Sequence, residues 1–149
     1  MCSFRPETFI QRHAFILTDD PQRVDVDQIV ALLAETDWME RESRETIHRA
    51  LSNTHVFGFF APDGTLAGCV TVLSDEVFNA RLSNFFIVPE HRGRGLGRWI
   101  MATLIYSSRF KDVRSWQLIA DEAQGLYRRF GFEVFDGDGE LMFRRRSSE

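Results

Sequence analysis

A chain of 149 residues, 44% hydrophobic and including 14 phenylalanines, is long enough for one core and too apolar for a disordered chain. One domain over 1–149 is therefore expected. The formal charge of −4 gives no support to a nucleic-acid partner, and no apolar run approaches the length of a membrane span. Cys2 and Cys69 are too few for a disulfide framework and form no zinc spacing with the four histidines, so a reducing, cytoplasmic setting without a metal is expected.

Charge is unevenly spread. Residues 1–75 carry twelve acids and six bases, net −6, whereas residues 76–149 carry ten acids and twelve bases, net +2. The acidic excess lies between Asp19 and Glu45. An anionic ligand on the basic half and a cationic one on the acidic half would suit this asymmetry, and so would solvated helices. The opening residues, interrupted by Arg5, Glu7 and Arg12, lack a signal-peptide core.

In chain order, residues 9–17 read as a first strand, bounded by Asp19-Asp20-Pro21. Asp25 or Asp27 then caps a helix with Val26, Ile29, Val30 and Leu33 on one face. Trp38 and Met39 fall in a connection; large and apolar, they suit the wall of a pocket or the core. A second helix follows Ser43, with Ile47, Ala50 and Leu51 as its apolar stripe. Residues 56–61 and 66–73 flank Pro62-Asp63-Gly64-Thr65 and read as a hairpin.

After a turn over 75–79, a strand ends at Val88. A helix then runs to about Ser108, followed by a strand over 116–120 and a short helix over 123–130 closed by Gly131. Residues 132–135 and 141–144 read as the last two strands. The fold class is α+β, a central mixed, mostly antiparallel sheet flanked by helices in the order βααβββαβαββ.

Between the strand ending at Val88 and the helix beginning near Trp99 lies a basic, glycine-rich turn, His91-Arg92-Gly93-Arg94-Gly95-Leu96-Gly97-Arg98. Glycines leave backbone N–H groups uncovered, and a helix start aims further unpaired N–H groups and a positive dipole end the same way. With Arg92, Arg94 and Arg98 these parts make a receptor for a phosphate-bearing ligand. A P-loop is excluded because the only lysine is Lys111. A dinucleotide fingerprint fails because Arg98 stands where its third glycine belongs.

Arg92, Gly95 and Gly97 match Arg/Gln-x-x-Gly-x-Gly/Ala, and Tyr127-Arg128-Arg129-Phe130-Gly131-Phe132 matches Tyr-x-x-x-Gly-Phe. In this order and spacing the chain resembles the GNAT superfamily of acyl-coenzyme A-dependent N-acyltransferases, in particular its small stand-alone bacterial members. The resemblance covers roughly residues 18–144. It implies acetyl-coenzyme A as acyl donor, with the pyrophosphate held by Arg92, Gly93, Arg94, Gly95, Leu96, Gly97 and Arg98. It also implies that strands ending near Val88 and Ala120 splay apart to admit the pantetheine arm.

A backbone N–H among Phe86, Ile87 and Val88 is then expected at the developing oxyanion. Tyr127 is expected to donate a proton to the departing thiolate. The acceptor, a small-molecule amine or a peptide, would attack directly in a ternary complex, with the protein acting as a monomer or homodimer. Relatives often carry a carboxylate on the fourth strand, where this chain has Asn84. Glu40, His55 and Glu122 are candidate bases, and no residue is assigned the role. A non-catalytic acyl-coenzyme A-binding regulatory module is the alternative reading.

Overall fold

Six strands in sequence order, β1 (Thr8–Ile10), β2 (Ile16–Thr18), β3 (His55–Phe60), β4 (Leu66–Ser74), β5 (Asn79–Ile87) and β6 (Ser115–Gln117), build one sheet, each paired with the next and antiparallel throughout except for the parallel β5–β6 pair. The computed structural model describes residues 5–120, 123–136, 139 and 141–146, so Cys2, Glu122 and part of the turn at 136–139 lie outside the described residues. The α+β class and the mostly antiparallel sheet are as expected.

The element order differs at both ends. The segment expected as one strand is a hairpin, β1 (Thr8–Ile10) and β2 (Ile16–Thr18). Its turn carries none of the usual glycine, proline or asparagine signals. Instead Ala14 takes φ +67° and the backbone N–H of Gln11 donates to Phe15 O. Residues 132–135 and 141–144 form no strand. Their alternation suits a strand, but pairing is a long-range property: the edge strand β6 (Ser115–Gln117) is three residues long, and its described pairing is with β5.

Both faces of the sheet are covered. Helices α1 (Val26–Ala34) and α2 (Arg44–Leu51) begin at Asp25 and Ser43, whose side chains accept from the N–H groups of Asp27 and Thr46. Their Ile29, Val30, Leu33, Ile47 and Leu51 pack with Phe60 and Cys69. Ala50, expected in that stripe, is exposed, and Ile47 and Leu51 are the buried residues of α2. On the other face α3 (Leu96–Ile105) buries Leu96, Ile100, Met101 and Leu104 against Phe57 and Phe59 of β3 (His55–Phe60) and Val70 and Val72 of β4 (Leu66–Ser74). Each such large side chain contributes about 1.5–3 kcal/mol on burial.

The strand that positions the site is β5 (Asn79–Ile87). Its pairing with β4 shifts between Thr71↔Ser83 and Cys69↔Phe86, so Asn84 and Phe85 together oppose Val70, a β-bulge with Asn84 at φ +53°. The bulge exchanges the faces. Ala80 and Leu82 point into the α3 side, yet beyond it Phe85 and Ile87 do so, while Phe86 turns to the α1–α2 side.

Candidate functional site

The site begins where β5 loses a neighbour. β6 pairs with β5 only at Asn79, Ala80 and Arg81, while β5 continues to Ile87. From Leu82 onward its edge on that side has no ladder partner among the described residues, which leaves backbone N–H and C=O groups, the Ile87 carbonyl held by Arg92 excepted, available to an extended ligand.

At the end of this edge the chain makes a short 3-10 turn, Pro89–His91, and enters the glycine loop. Gly93 and Gly95 take φ +78° and +77°, and a Cβ at either would meet nothing within 4 Å, so the surface there is bare backbone. Gly95 caps α3 without a side chain. Helices α1 and α2 spend side-chain oxygens on their first N–H groups; α3 has no side-chain cap for its own.

Gly97 has a different task. A Cβ there would stand 3.5 Å from Leu126 Cδ2, 3.8 Å from Phe85 Cζ and 3.9 Å from Ile87 Cδ1. It is therefore the place where α3, β5 and the helix α4 (Gln124–Arg128) converge, bringing the element that carries Tyr127 against the loop helix. Tyr127 itself is half-buried, edge-on to Phe132 at 6.1 Å, and burial raises its phenol above its ordinary value. It lines a groove of about 650 Å³ with Trp116, Leu118 and Ala120. No residue of 86–98 lines that groove, so Tyr127 and the loop flank the open edge of β5 without sharing one cavity.

The three backbone candidates on β5 are not equivalent. Val88 N–H donates to Ala67 O at 2.8 Å, and Phe86, two residues back, pairs with Cys69 in the same sense. Antiparallel alternation turns the intervening Ile87 N–H toward the open side. Arg92 is exposed and braced against β5: its Nε donates to Ile87 O at 2.6 Å and its guanidinium lies 5.1 Å from the centre of the Phe86 ring.

Sequence reasoning passed over Gly68. A Cβ there would fall 2.2 Å from Phe86 O, so only glycine lets β4 approach the bulged strand. An isolated glycine inside a strand was the available signal. His55, one of the candidate bases, stands 3.4 Å from Glu76, near Arg109 and beyond the C-terminal end of α3, whereas the loop is at the N-terminal end, roughly 15 Å away along a ten-residue helix. Cys69 is buried, its thiol pushed up to about 12, and it contacts Asn84 O at 3.4 Å. Among the described residues no group of three or more metal-ligating side chains gathers, and no helix is long and apolar enough to cross a membrane.

A mixed, mostly antiparallel sheet whose β5 edge opens beside the uncapped, arginine-flanked start of α3 defines an α+β protein. Residues 52–134 match the family described as "Acetyltransferase (GNAT) domain". A Xanthomonas campestris protein of the GNAT family has a crystal structure that superposes with TM-score 0.79 at 30% identity, covering 89% of this chain and 93% of that one. An uncharacterized N-acetyltransferase, ycf52, of Gracilaria tenuistipitata var. liui is 36% identical over 75 residues, 50% of this chain and 41% of that protein. A chloroplastic serotonin N-acetyltransferase 2 of Oryza sativa subsp. japonica is 32% identical over 114 residues, 71% of this chain and 56% of that protein. The chain thus spans about half the length of these two curated relatives. It belongs to the GNAT acetyltransferase family, whose members use acetyl-coenzyme A.

Proposed function

We propose that this protein is an acetyl-coenzyme A-dependent N-acetyltransferase acting on a primary amine, small-molecule or lysine-like, by direct attack within a ternary complex. The observation that carries this reading is the open edge of β5 running into the uncapped start of α3. The pyrophosphate would take the N–H groups of the Gly93–Arg98 turn, with Arg94 and Arg98 adding charge. The pantetheine arm would pair along β5, and Ile87 N–H would meet the oxyanion. Attack of the amine nitrogen on the thioester carbon forms a C–N bond. Breaking the C–S bond expels a thiolate, which takes a proton from Tyr127; the proton lost by the amine restores the phenol through solvent.

Asn84 favours one competing reading. Its amide takes up no proton at neutral pH and both its ends are engaged, which suits a module that binds acyl-coenzyme A without turning it over. A turnover assay with an amine panel separates the two. For the loop itself, Gly95→Glu places a side chain and a negative charge where the pyrophosphate would lie. Calorimetry should show acetyl-coenzyme A binding abolished with the fold retained; unaltered affinity would remove the loop from the site.

A further inference from the structure

Asn84 sits at the bulge in the left-handed region, and its side chain links two elements. The indole Nε1 of Trp38, in the connection between α1 and α2, donates to Asn84 Oδ1 at 3.1 Å. Asn84 Nδ2 donates to Thr71 Oγ1 at 3.1 Å, and Thr71 in turn donates to Ser83 O at 3.0 Å. An indole N–H can only donate, and the Thr71 proton is already committed. The residue between them must therefore offer one acceptor and one donor, which an amide does and a carboxylate does not.

The consequence is a fixed tryptophan. Trp38 is 53% exposed, yet its ring is held in orientation by Asn84 and meets Phe86 edge-on, 6.2 Å between centres. Phe86 adjoins Ile87, so the open indole stands beside the part of β5 where the thioester carbonyl would lie. Asp37, Glu40 and Glu42, all exposed, surround Trp38 along the same connection, against the single base Arg41.

We propose that Asn84 is a positioning residue that clamps Trp38 as the wall of the acceptor site, and that the acceptor is a small primary amine carrying a flat apolar group. The inference rests on the acetyltransferase reading above. The acids attract the ammonium form from solution, and the indole receives the apolar body, at a contact type where aromatic groups add affinity. This assigns to Asn84 a role in selecting the acceptor, in place of proton transfer.

The test uses initial rates with phenethylamine and butylamine. Wild type should show the lower KM for phenethylamine. Trp38→Ala should raise that KM roughly tenfold or more, well beyond its effect on the butylamine KM, with acetyl-coenzyme A affinity by calorimetry unaltered. Asn84→Gly, which suits the positive φ, should shift the phenethylamine KM in the same direction. In a Trp38→Phe background, where the indole donor is gone, Asn84→Gly should have no further effect. Equal losses for both amines, or additive effects of the two substitutions, overturn the clamp. A wild type that acetylates no amine overturns the acetyltransferase reading and this inference together, whereas turnover without discrimination overturns this inference alone.

Discussion

Arg92 donates from Nε to the carbonyl oxygen of Ile87 at 2.6 Å, tying the first arginine of the glycine loop to the last residue of β5. The same peptide segment presents Ile87 N–H to the open edge, so one side chain sets both the entrance of the loop and the proposed oxyanion donor.

Replacing Arg92 by lysine keeps the charge and loses the planar Nε donor. A hydrogen bond from a charged group contributes about 1.5–3 kcal/mol. Arg92→Lys should accordingly weaken acetyl-coenzyme A binding by about tenfold in calorimetry, with a change in Tm of only a few degrees. Full affinity in Arg92→Lys would show that the loop holds its shape without this bond.

Gly68→Ala tests the approach of β4 to the bulged strand. Its Cβ would fall 2.2 Å from a backbone oxygen, that of Phe86, which has no rotamer by which to yield. Urea denaturation should show destabilisation of about 1–3 kcal/mol, and acetyl-coenzyme A affinity should fall because the displaced peptide borders Ile87. Stability equal to wild type would mean that the two strands separate at no cost.

Tyr127 bears on the chemistry. Burial raises its phenol pKa, so the proton is present across the neutral range and into mild base. Assistance from a positioned acid is typically worth about 10² to 10⁴ in rate, so Tyr127→Phe should lower kcat by at least roughly tenfold. The ring's contact with Phe132 survives, and affinity for acetyl-coenzyme A and Tm should change little. Parallel losses of binding and stability would assign Tyr127 to packing instead.

His55 supplies a pH dependence. Burial, followed by the nearby Arg109 guanidinium, holds its pKa below the ordinary 6.5, with Glu76 opposing in part. The unfolded chain then binds the proton more readily than the folded one. The contribution of His55 to stability is complete above pH 6.5 and declines as pH falls toward the lowered folded value. Tm should drop between pH 7 and pH 5, and the drop should be shallower in His55→Gln. An identical profile in that variant would trace the acid sensitivity to other groups.

Much of this site was legible in the sequence because its signals are local. Pro62-Asp63-Gly64-Thr65 makes a hairpin turn through the Asp63 side chain, which accepts from Thr65 N–H at 3.0 Å. Asp25 and Ser43 cap their helices as side-chain oxygens near a helix start do. Gly93 and Gly95 announce left-handed backbone, and an apolar run ending at a proline before them announces a strand entering a glycine-rich turn.

What only the tertiary structure decided depends on residues far apart in the chain. Whether residues 132–135 make a strand turns on a neighbour, and β6 pairs with β5 for only three residues. The meaning of Gly68 required Phe86 O to be beside it. Asn84, read in sequence as a missing carboxylate, acquires its role only when Trp38, 46 residues earlier, is brought to its oxygen and Thr71 to its nitrogen. Turn and cap preferences are energies of neighbouring residues and are written in the local sequence. Pairing, bulge register and side-chain hydrogen bonds across a sheet are energies of the assembled layers, set only when the chain has closed on itself.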